Sequence, residues 1–148
     1  MTEALFAAFA VPIAIIDIKK FRIPDLLIAA LGVSLIIYDI VFAPKIIGEH
    51  VLAAVIAFGL FLAVYVLRGG LGFGDVKYAA VIGYYTGCAR LMPALLAACV
   101  LGVLYWSAAV MVKGRKDGRR LRIPFAPCLA AGALAAAFIP AEVFRGIA

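Results

Sequence analysis

The sequence predicts an all-α integral membrane protein, a bundle of six transmembrane helices with both termini outside. Hydrophobic residues make up 68% of the 148 residues and charged residues only 15%, whereas a soluble domain has about 45–50% apolar and about 25% charged residues. The apolar residues fall into six runs, and the basic residues cluster in every second break between them. We therefore expect residues 1–148 to form a single transmembrane domain.

The six apolar runs give the predicted helices in order. A helix needs about 20 residues to cross a bilayer, so the short first and fourth runs must extend into their polar flanks or be sheltered by neighbours. The first run has no basic region before it, so we interpret it as a retained helix and not as a signal peptide. The runs are Ala4–Ile18, Leu26–Phe42, Val51–Leu67, Val76–Ala89, Leu91–Val112 and Pro124–Phe144.

Glycines within the runs are predicted to let helices approach closely in lipid. They are Gly32, Gly59, Gly83, Gly87, Gly102 and Gly132.

The basic residues give the predicted orientation. The breaks after the first, third and fifth runs hold eleven of the fourteen Lys and Arg residues. By the positive-inside rule these breaks face the cytoplasm, which makes the chain a multi-pass protein of the cytoplasmic membrane. The net charge of +6 is thus explained by topology, and we predict no nucleic-acid partner.

No metal or organic cofactor is predicted. The three cysteines, Cys88, Cys99 and Cys128, form no Cys-x-x-Cys pair, so neither a zinc site nor a dithiol redox motif is indicated.

Asp17 is the first candidate functional acid. The first helix needs residues up to about Lys20 to cross the bilayer, which places Asp17 about one turn inside the cytoplasmic boundary. There the carboxylate either extends outwards to pair with Lys20 or Arg22, or it serves a function. The residues alone leave both interpretations open.

Asp75 is the second candidate, because it follows four closely spaced glycines. An aspartate at the start of the fourth helix could simply cap it, but a cap does not require a glycine run. Glycines let another chain approach the backbone closely, and non-helical backbone at this depth is tolerated where it lines a cavity. The glycines, which indicate an opening beside Asp75, are Gly69, Gly70, Gly72 and Gly74.

The other charged residues near the ends of the runs have simpler interpretations. Asp25 follows Pro24 and matches the usual chemistry of a helix start. Lys77 is interpreted as a basic flank, with electrostatic support of a neighbouring carboxylate as the alternative. Acids on the outer side are expected to be solvated helix ends, and Asp117 a solvated loop residue; the outer acids are Glu3, Asp39, Glu49 and Glu142.

Asp17 and Asp75 are predicted to lie on the same face of the membrane at similar depth. Two carboxylates that come close cannot both ionise cheaply, so they share a proton. Such a pair can hydrolyse a peptide bond, because one carboxylate deprotonates a water while the other protonates or polarises the carbonyl.

The motifs around these residues resemble those of the type IV prepilin peptidase family, which are GxGD membrane aspartyl proteases. Gly72-Phe73-Gly74-Asp75 resembles the GxGD signature, and Lys77 extends the likeness to GFGDVK. The segment DIKKFRIPD, residues 17–25, is similar to the family's first motif, and RIPFAPCLAAG, residues 122–132, to the start of its last helix. The three matches come in the family's order and cover nearly the whole chain.

The resemblance implies catalytic roles for Asp17 and Asp75, with substrate-binding or supporting roles for Gly72, Gly74, Lys77 and Asp25. It implies removal of a short basic leader from prepilins or pseudopilins at the cytoplasmic face, with the pilus-assembly machinery as a candidate partner.

The chain also departs from the family's pattern. Full-length members add an N-terminal segment with zinc-binding cysteines and methylate the new pilin N-terminus. This chain begins at its first helix and so is similar to peptidases of tight-adherence (Flp-type) pili and to archaeal preflagellin peptidases; we predict cleavage without methylation. Asp25 stands where the family usually has Asn, which adds a third acid near the pair, and Ala126 stands where it often has Gly.

Two other functions fit parts of the sequence. A small proton-coupled transporter also uses intramembrane acids, but would place them near the midplane and often in repeated halves, and no repeat is visible. A non-catalytic assembly subunit that docks through its basic face would explain the charge, but leaves the glycines before Asp75 without a purpose.

Overall fold

The computed structural model describes residues 2–68, 71–113 and 124–139, which are helical apart from short turns and contain no strand. The helices follow the predicted apolar runs, and a short 3₁₀ turn, Pro44–Ile46, precedes the third. They are α1 (Thr2–Lys20), α2 (Asp25–Phe42), α3 (Ile47–Arg68), α4 (Phe73–Lys113) and α5 (Ala126–Ala137).

Helix α4 is broken at Gly87, where φ is 66° and ψ is 173°. This left-handed region of φ strongly favours glycine. A Cβ at this position would also lie 3.2 Å from the imidazole ring of His50. The break therefore requires a residue without a side chain, both for its backbone angles and for the space it has.

The second half of α4 packs antiparallel to α5. Gly132 of α5 lies against Ala94, and Phe125, just before α5, lies against Gly102. A Cβ at Gly132 would lie 2.5 Å from the carbonyl oxygen of Ala94, so this glycine allows close contact between the two helices.

The first half of α4 runs in the opposite direction, beside α1. Tyr85 stacks on Phe6 with ring centroids 4.0 Å apart, while the start of α4 lies at the other end of α1, near Asp17. Asp17 in turn contacts Ala126 at the start of α5. The chain thus reverses at Gly87, and we call the end where α1 finishes and α4 and α5 begin the Asp17 end.

With α4 divided at Gly87, residues 2–68, 71–113 and 124–139 form six α-helical segments besides the 3₁₀ turn. The predicted fourth and fifth helices, 76–89 and 91–112, are the two halves of α4, and the turn between them is Gly87 instead of the predicted break near Arg90. Within the part of the chain that the structure describes, three stretches are long and apolar enough to cross a membrane: Asp25–Phe42, Pro44–Arg68 and Phe73–Met111. The chain is therefore a multi-pass membrane protein, while six crossings and outer termini stay predictions.

The close approach predicted at glycines is confirmed at Gly83 and Gly132 and wrong at Gly59. A Cβ at Gly83 would lie 2.6 Å from the carbonyl oxygen of Ala53, whereas Gly59 has no neighbouring atom within 4 Å of such a Cβ. Gly83 thus joins α3 to the first half of α4, and the Gly59 position is open.

Asp39 corrects the expectation that the outer acids are solvated. It is only 4% exposed, because its Oδ2 lies 3.2 Å from Nδ1 of His50 on α3. The His50 ring meets Tyr84 edge to face with centroids 5.4 Å apart. These side chains bury an acid at the end of the bundle opposite the Asp17 end. Asp117 and Glu142 lie outside the described residues.

Candidate active site

Asp17 is placed in the core by the spacing of buried residues along α1. The buried positions of this helix are Phe6, Ala10, Ile13 and Asp17, which are three or four residues apart and so share one face. Asp17 is therefore the last member of an otherwise apolar stripe and is 5% exposed. The stripe is visible only in the structure, because apolar residues such as Val11 and Ile15 also cover the exposed face of α1.

The buried Asp17 carboxylate is held by the start of α5. Its Oδ2 accepts a hydrogen bond from the backbone N–H of Ala126 at 3.1 Å. The first N–H groups of a helix have no partner within it, and the positive end of the helix dipole favours an anion there. The alternative in which Asp17 extends outwards to pair with Lys20 or Arg22 is therefore wrong.

Asp75 is the third residue of α4 and is half-buried. Its Oδ2 accepts a hydrogen bond from the N–H of Gly72 at 3.1 Å, and its own N–H donates to the Gly72 carbonyl at 3.0 Å. This reciprocal pairing resembles a capping box, in which the third helical residue reaches back to the cap. Asp75 thus supports the helix start from within the first turn, while Gly72 occupies the cap position.

The carboxyls of Asp17 and Asp75 lie at the same end of the bundle, within electrostatic range of one another. Among residues 2–68, 71–113 and 124–139, no cationic side chain forms an ion pair with either of them. Two like charges without a counterion are relieved most simply by a proton on one of them. The geometry therefore suits a pair of carboxyls that share one proton.

Each of the two glycines of the GFGD motif occupies a position where a side chain would press on a neighbouring group. A Cβ at Gly72 would lie 3.1 Å from Oδ2 of Asp75, and a Cβ at Gly74 would lie 3.3 Å from Cβ of Ile23. Gly72 therefore leaves room for the carboxylate to fold back, and Gly74 lets the turn between α1 and α2 approach α4. Gly69 and Gly70 lie outside the described residues.

Lys77 and Asp25 form an ion pair across this junction. The Lys77 Nζ lies 2.9 Å from Oδ2 of Asp25 and 5.2 Å from the centre of the Phe73 ring. Asp25 is the first residue of α2, after Pro24, as its sequence context predicted. Because its carboxylate is paired with a cation, Asp25 differs from both Asp17 and Asp75.

Ala126 and Ile23 are site residues that were not predicted. Ala126 contributes only its backbone N–H, which the residue type does not reveal. A usable signal was Pro127, since a proline in the first turn marks a helix start and so the place where unpaired N–H groups lie. Among the described residues, no three His, Cys, Asp or Glu side chains are grouped so that they could hold a metal ion.

The comparisons with known proteins identify the family of the chain. A model of the type IV leader peptidase family matches residues 4–107, which include Asp17 and Asp75. A prepilin leader peptidase/N-methyltransferase of Bacillus subtilis is 44% identical over 79 residues, 52% of this chain and 31% of that protein. The chain thus spans about a third of the length of that relative.

Two shorter relatives are covered over most of their length. The leader peptidase HopD of Salmonella typhimurium is 28% identical over 132 residues, 84% of each chain. The leader peptidase HopD of Escherichia coli is 30% identical over 136 residues, 86% of this chain and 85% of that protein. No solved structure matches the chain. Because the family match covers well over half of its residues, the chain belongs to the type IV leader peptidase family.

Proposed function

We propose that the protein is a membrane aspartic endopeptidase that removes the short basic leader of type IV prepilins or pseudopilins, those of Flp-type pili in particular. In this proposal six helices cross the cytoplasmic membrane, both termini lie outside, and the Asp17 end faces the cytoplasm. The basic residues at the cytoplasmic breaks support this orientation.

The observation that carries the proposal is the meeting of three distant sequence motifs at one end of the bundle. Asp17 comes from the first motif, Asp75 from the second, and the N–H of Ala126 from the third. Interacting carboxyls without a paired cation are the groups that acid–base hydrolysis of a peptide bond requires.

The proposed reaction uses the two carboxyls in complementary protonation states. The ionised member takes a proton from a water molecule, which attacks the scissile carbonyl, while the protonated member donates a hydrogen bond to the carbonyl oxygen. The backbone N–H groups of Ala126 and Gly72 keep the two carboxyls oriented. The water's oxygen joins the new carboxyl terminus, and the leaving nitrogen takes up a proton from the pair.

The proposed substrate class is supported by the family of the chain and by the position of the carboxyls at one end of the apolar bundle. Leader peptidase is the name of the HopD relatives, and the carboxyls lie at one end of an apolar bundle. A substrate whose basic leader precedes an apolar helix can place that helix in the bilayer while the leader meets the carboxyls. A proton-coupled transporter has no comparable support from the family match.

The test is cleavage of a candidate prepilin by the purified protein in liposomes, followed by mass spectrometry of the product. Wild type is compared with Asp17→Asn and Asp75→Asn, and Asp39→Asn serves as a matched control because Asp39 is a buried acid at the opposite end. We expect both site variants to lose about 10²–10⁴-fold in rate, and Asp39→Asn to retain cleavage. In a parallel reaction with S-adenosylmethionine added as the methyl donor, the product mass also tests the prediction that no methyl group is added.

Two results would contradict the proposal. If the wild-type protein cuts none of several basic-leader prepilins, the substrate class is wrong. If Asp75→Asn cuts as fast as wild type, Asp75 only supports the start of α4, and the aspartic mechanism is wrong.

A further inference from the structure

The turn between α1 and α2 has an unfavourable backbone conformation. Phe21, the first residue after α1, has φ of 49°, a region that residues with a side chain rarely adopt. Its N–H donates a hydrogen bond to the Asp17 carbonyl at 2.8 Å. Such a conformation persists only where other contacts fix the surrounding chain, so the question is which contacts hold this turn.

The turn borders an open cleft of about 430 Å³. The cleft is lined by Ile16 and Lys20 of α1 and by Arg22, Ile23, Pro24 and Asp25.

Two of the described contacts between α4 and the region around this turn flank Asp75 along the chain. Ile23 packs against Gly74, the residue just before Asp75. Asp25 pairs with Lys77, two residues after Asp75, at 2.9 Å. The turn that follows Asp17 is thus attached to the segment that carries Asp75.

We propose that Asp25 and Lys77 are positioning residues, whose ion pair holds the α1–α2 turn against α4 and so keeps the carboxyl of Asp17 aligned with that of Asp75. This inference rests on the proposed peptidase function and adds two residues to it. The pair touches neither carboxyl; it acts through the backbone of the turn and of the first turn of α4.

The size of the effect follows from the exposure of the pair. The side chains of Lys77 and Asp25 are 38% and 68% exposed, so solvent screens their attraction. Loss of one charge should cost about twofold to fivefold in kcat, since exposed pairs are weak. Reversal of one charge places two like charges together and should cost about tenfold.

A charge exchange tests the pair in the liposome cleavage assay. Asp25→Lys and Lys77→Asp are measured singly and together, with kcat and KM determined separately. We expect each single reversal to lower kcat about tenfold with little change in KM, and the double variant to recover to within about threefold of wild type. Lys77→Arg should retain activity, because it keeps the charge.

A mismatched exchange is the control for net charge. Lys19 is an exposed cation on α1, so the double variant Asp25→Lys with Lys19→Asp has the same net charge as the matched exchange but does not restore the pair. We expect it to stay as slow as Asp25→Lys alone. The inference is supported if the matched exchange recovers activity and the mismatched exchange does not. Equal rates for the two exchanges overturn it.

Thermal unfolding of the same variants in detergent gives a readout that does not need a substrate. Single reversals should lower Tm, and the matched exchange should restore it. If wild type cleaves nothing, the proposed function fails, and Tm still decides whether the pair holds the turn. If Tm is restored but kcat is not, the pair is structural only and the positioning role is wrong.

Discussion

The ammonium group of Lys77 lies 2.9 Å from the carboxylate of Asp25. This ion pair connects the GFGDVK segment, residues 72–77, to the end of the turn that follows Asp17. Three acids therefore lie at the Asp17 end in two different electrostatic situations. Asp25 is paired with a cation, whereas Asp17 and Asp75 each accept a hydrogen bond from a backbone N–H group and form no ion pair with a cation of the described residues. This difference is the structural reason to choose Asp17 and Asp75 as the reacting pair.

Replacement of Asp25 by asparagine should slow cleavage only modestly and should not abolish it. The side-chain oxygen of Asn can still accept a hydrogen bond from Lys77, and only the exposed charge is lost. We expect a rate within about fivefold of wild type in the prepilin assay. A complete loss of cleavage in a folded Asp25→Asn protein would mean that Asp25 belongs to the reacting pair.

Gly74→Ala should slow cleavage, because the added Cβ would lie 3.3 Å from Cβ of Ile23 and push the α1–α2 turn away from α4. A shift of the turn misaligns the carboxyls, and small misplacements at a reacting centre can cost up to about 10²-fold. Gly59→Ala is the matched control, since no atom lies within 4 Å of its added Cβ. Equal rates for Gly74→Ala and wild type would show that this contact is dispensable.

Gly72→Ala should lower kcat with little effect on stability. Gly72 is exposed, but its added Cβ would lie 3.1 Å from Oδ2 of Asp75, so the carboxylate must move from its hydrogen bond with the Gly72 N–H. We expect about a tenfold or larger loss in kcat with Tm unchanged within about 2 °C. A lower Tm with kcat unchanged would show that Gly72 stabilises the start of α4 and has no part in positioning the Asp75 carboxylate.

Gly87→Ala should destabilise the protein without altering the chemistry at the Asp17 end. The combination of φ of 66° and ψ of 173° lies in a region used almost only by glycine and costs about 1–3 kcal/mol for a residue with a Cβ, which would also press on the His50 ring at 3.2 Å. Thermal unfolding should therefore show a lower Tm. The fraction that stays folded should cleave with the wild-type kcat, and a selective loss of kcat would contradict the separation of the two ends.

Much of the helical framework follows from the sequence because apolar runs and polar breaks report directly on lipid burial. The bounds of α2 differ from the predicted run only at Asp25, and α3 begins earlier than predicted, at Ile47. The reversal within α4 was placed at Arg90, the most polar residue near it, but a left-handed glycine at position 87 performs the turn. The position of the turn depends on the backbone conformation of this one glycine, and a hydropathy pattern does not report backbone angles.

For the candidate site, too, some features were predictable from the sequence and others were not. Asp17 and Asp75 were selected from their depth and neighbours, and their catalytic roles stay predictions for the assays above. Contacts between distant parts of the chain were not predictable: Asp25 with Lys77, and Asp39 with His50, which buries an acid expected to be solvated. Such pairs depend on how the helices pack, and a single sequence gives little information on packing.

The N–H of Ala126 has a consequence for how this family can vary. A backbone donor is supplied by every amino acid except proline, so the hydrogen bond to Asp17 survives almost any substitution at position 126. Ala126 is fully buried, so the volume of the side chain at this position, and not its chemistry, limits which residues fit. A larger residue at position 126 would keep the donor for Asp17 but would need space in the core beside it.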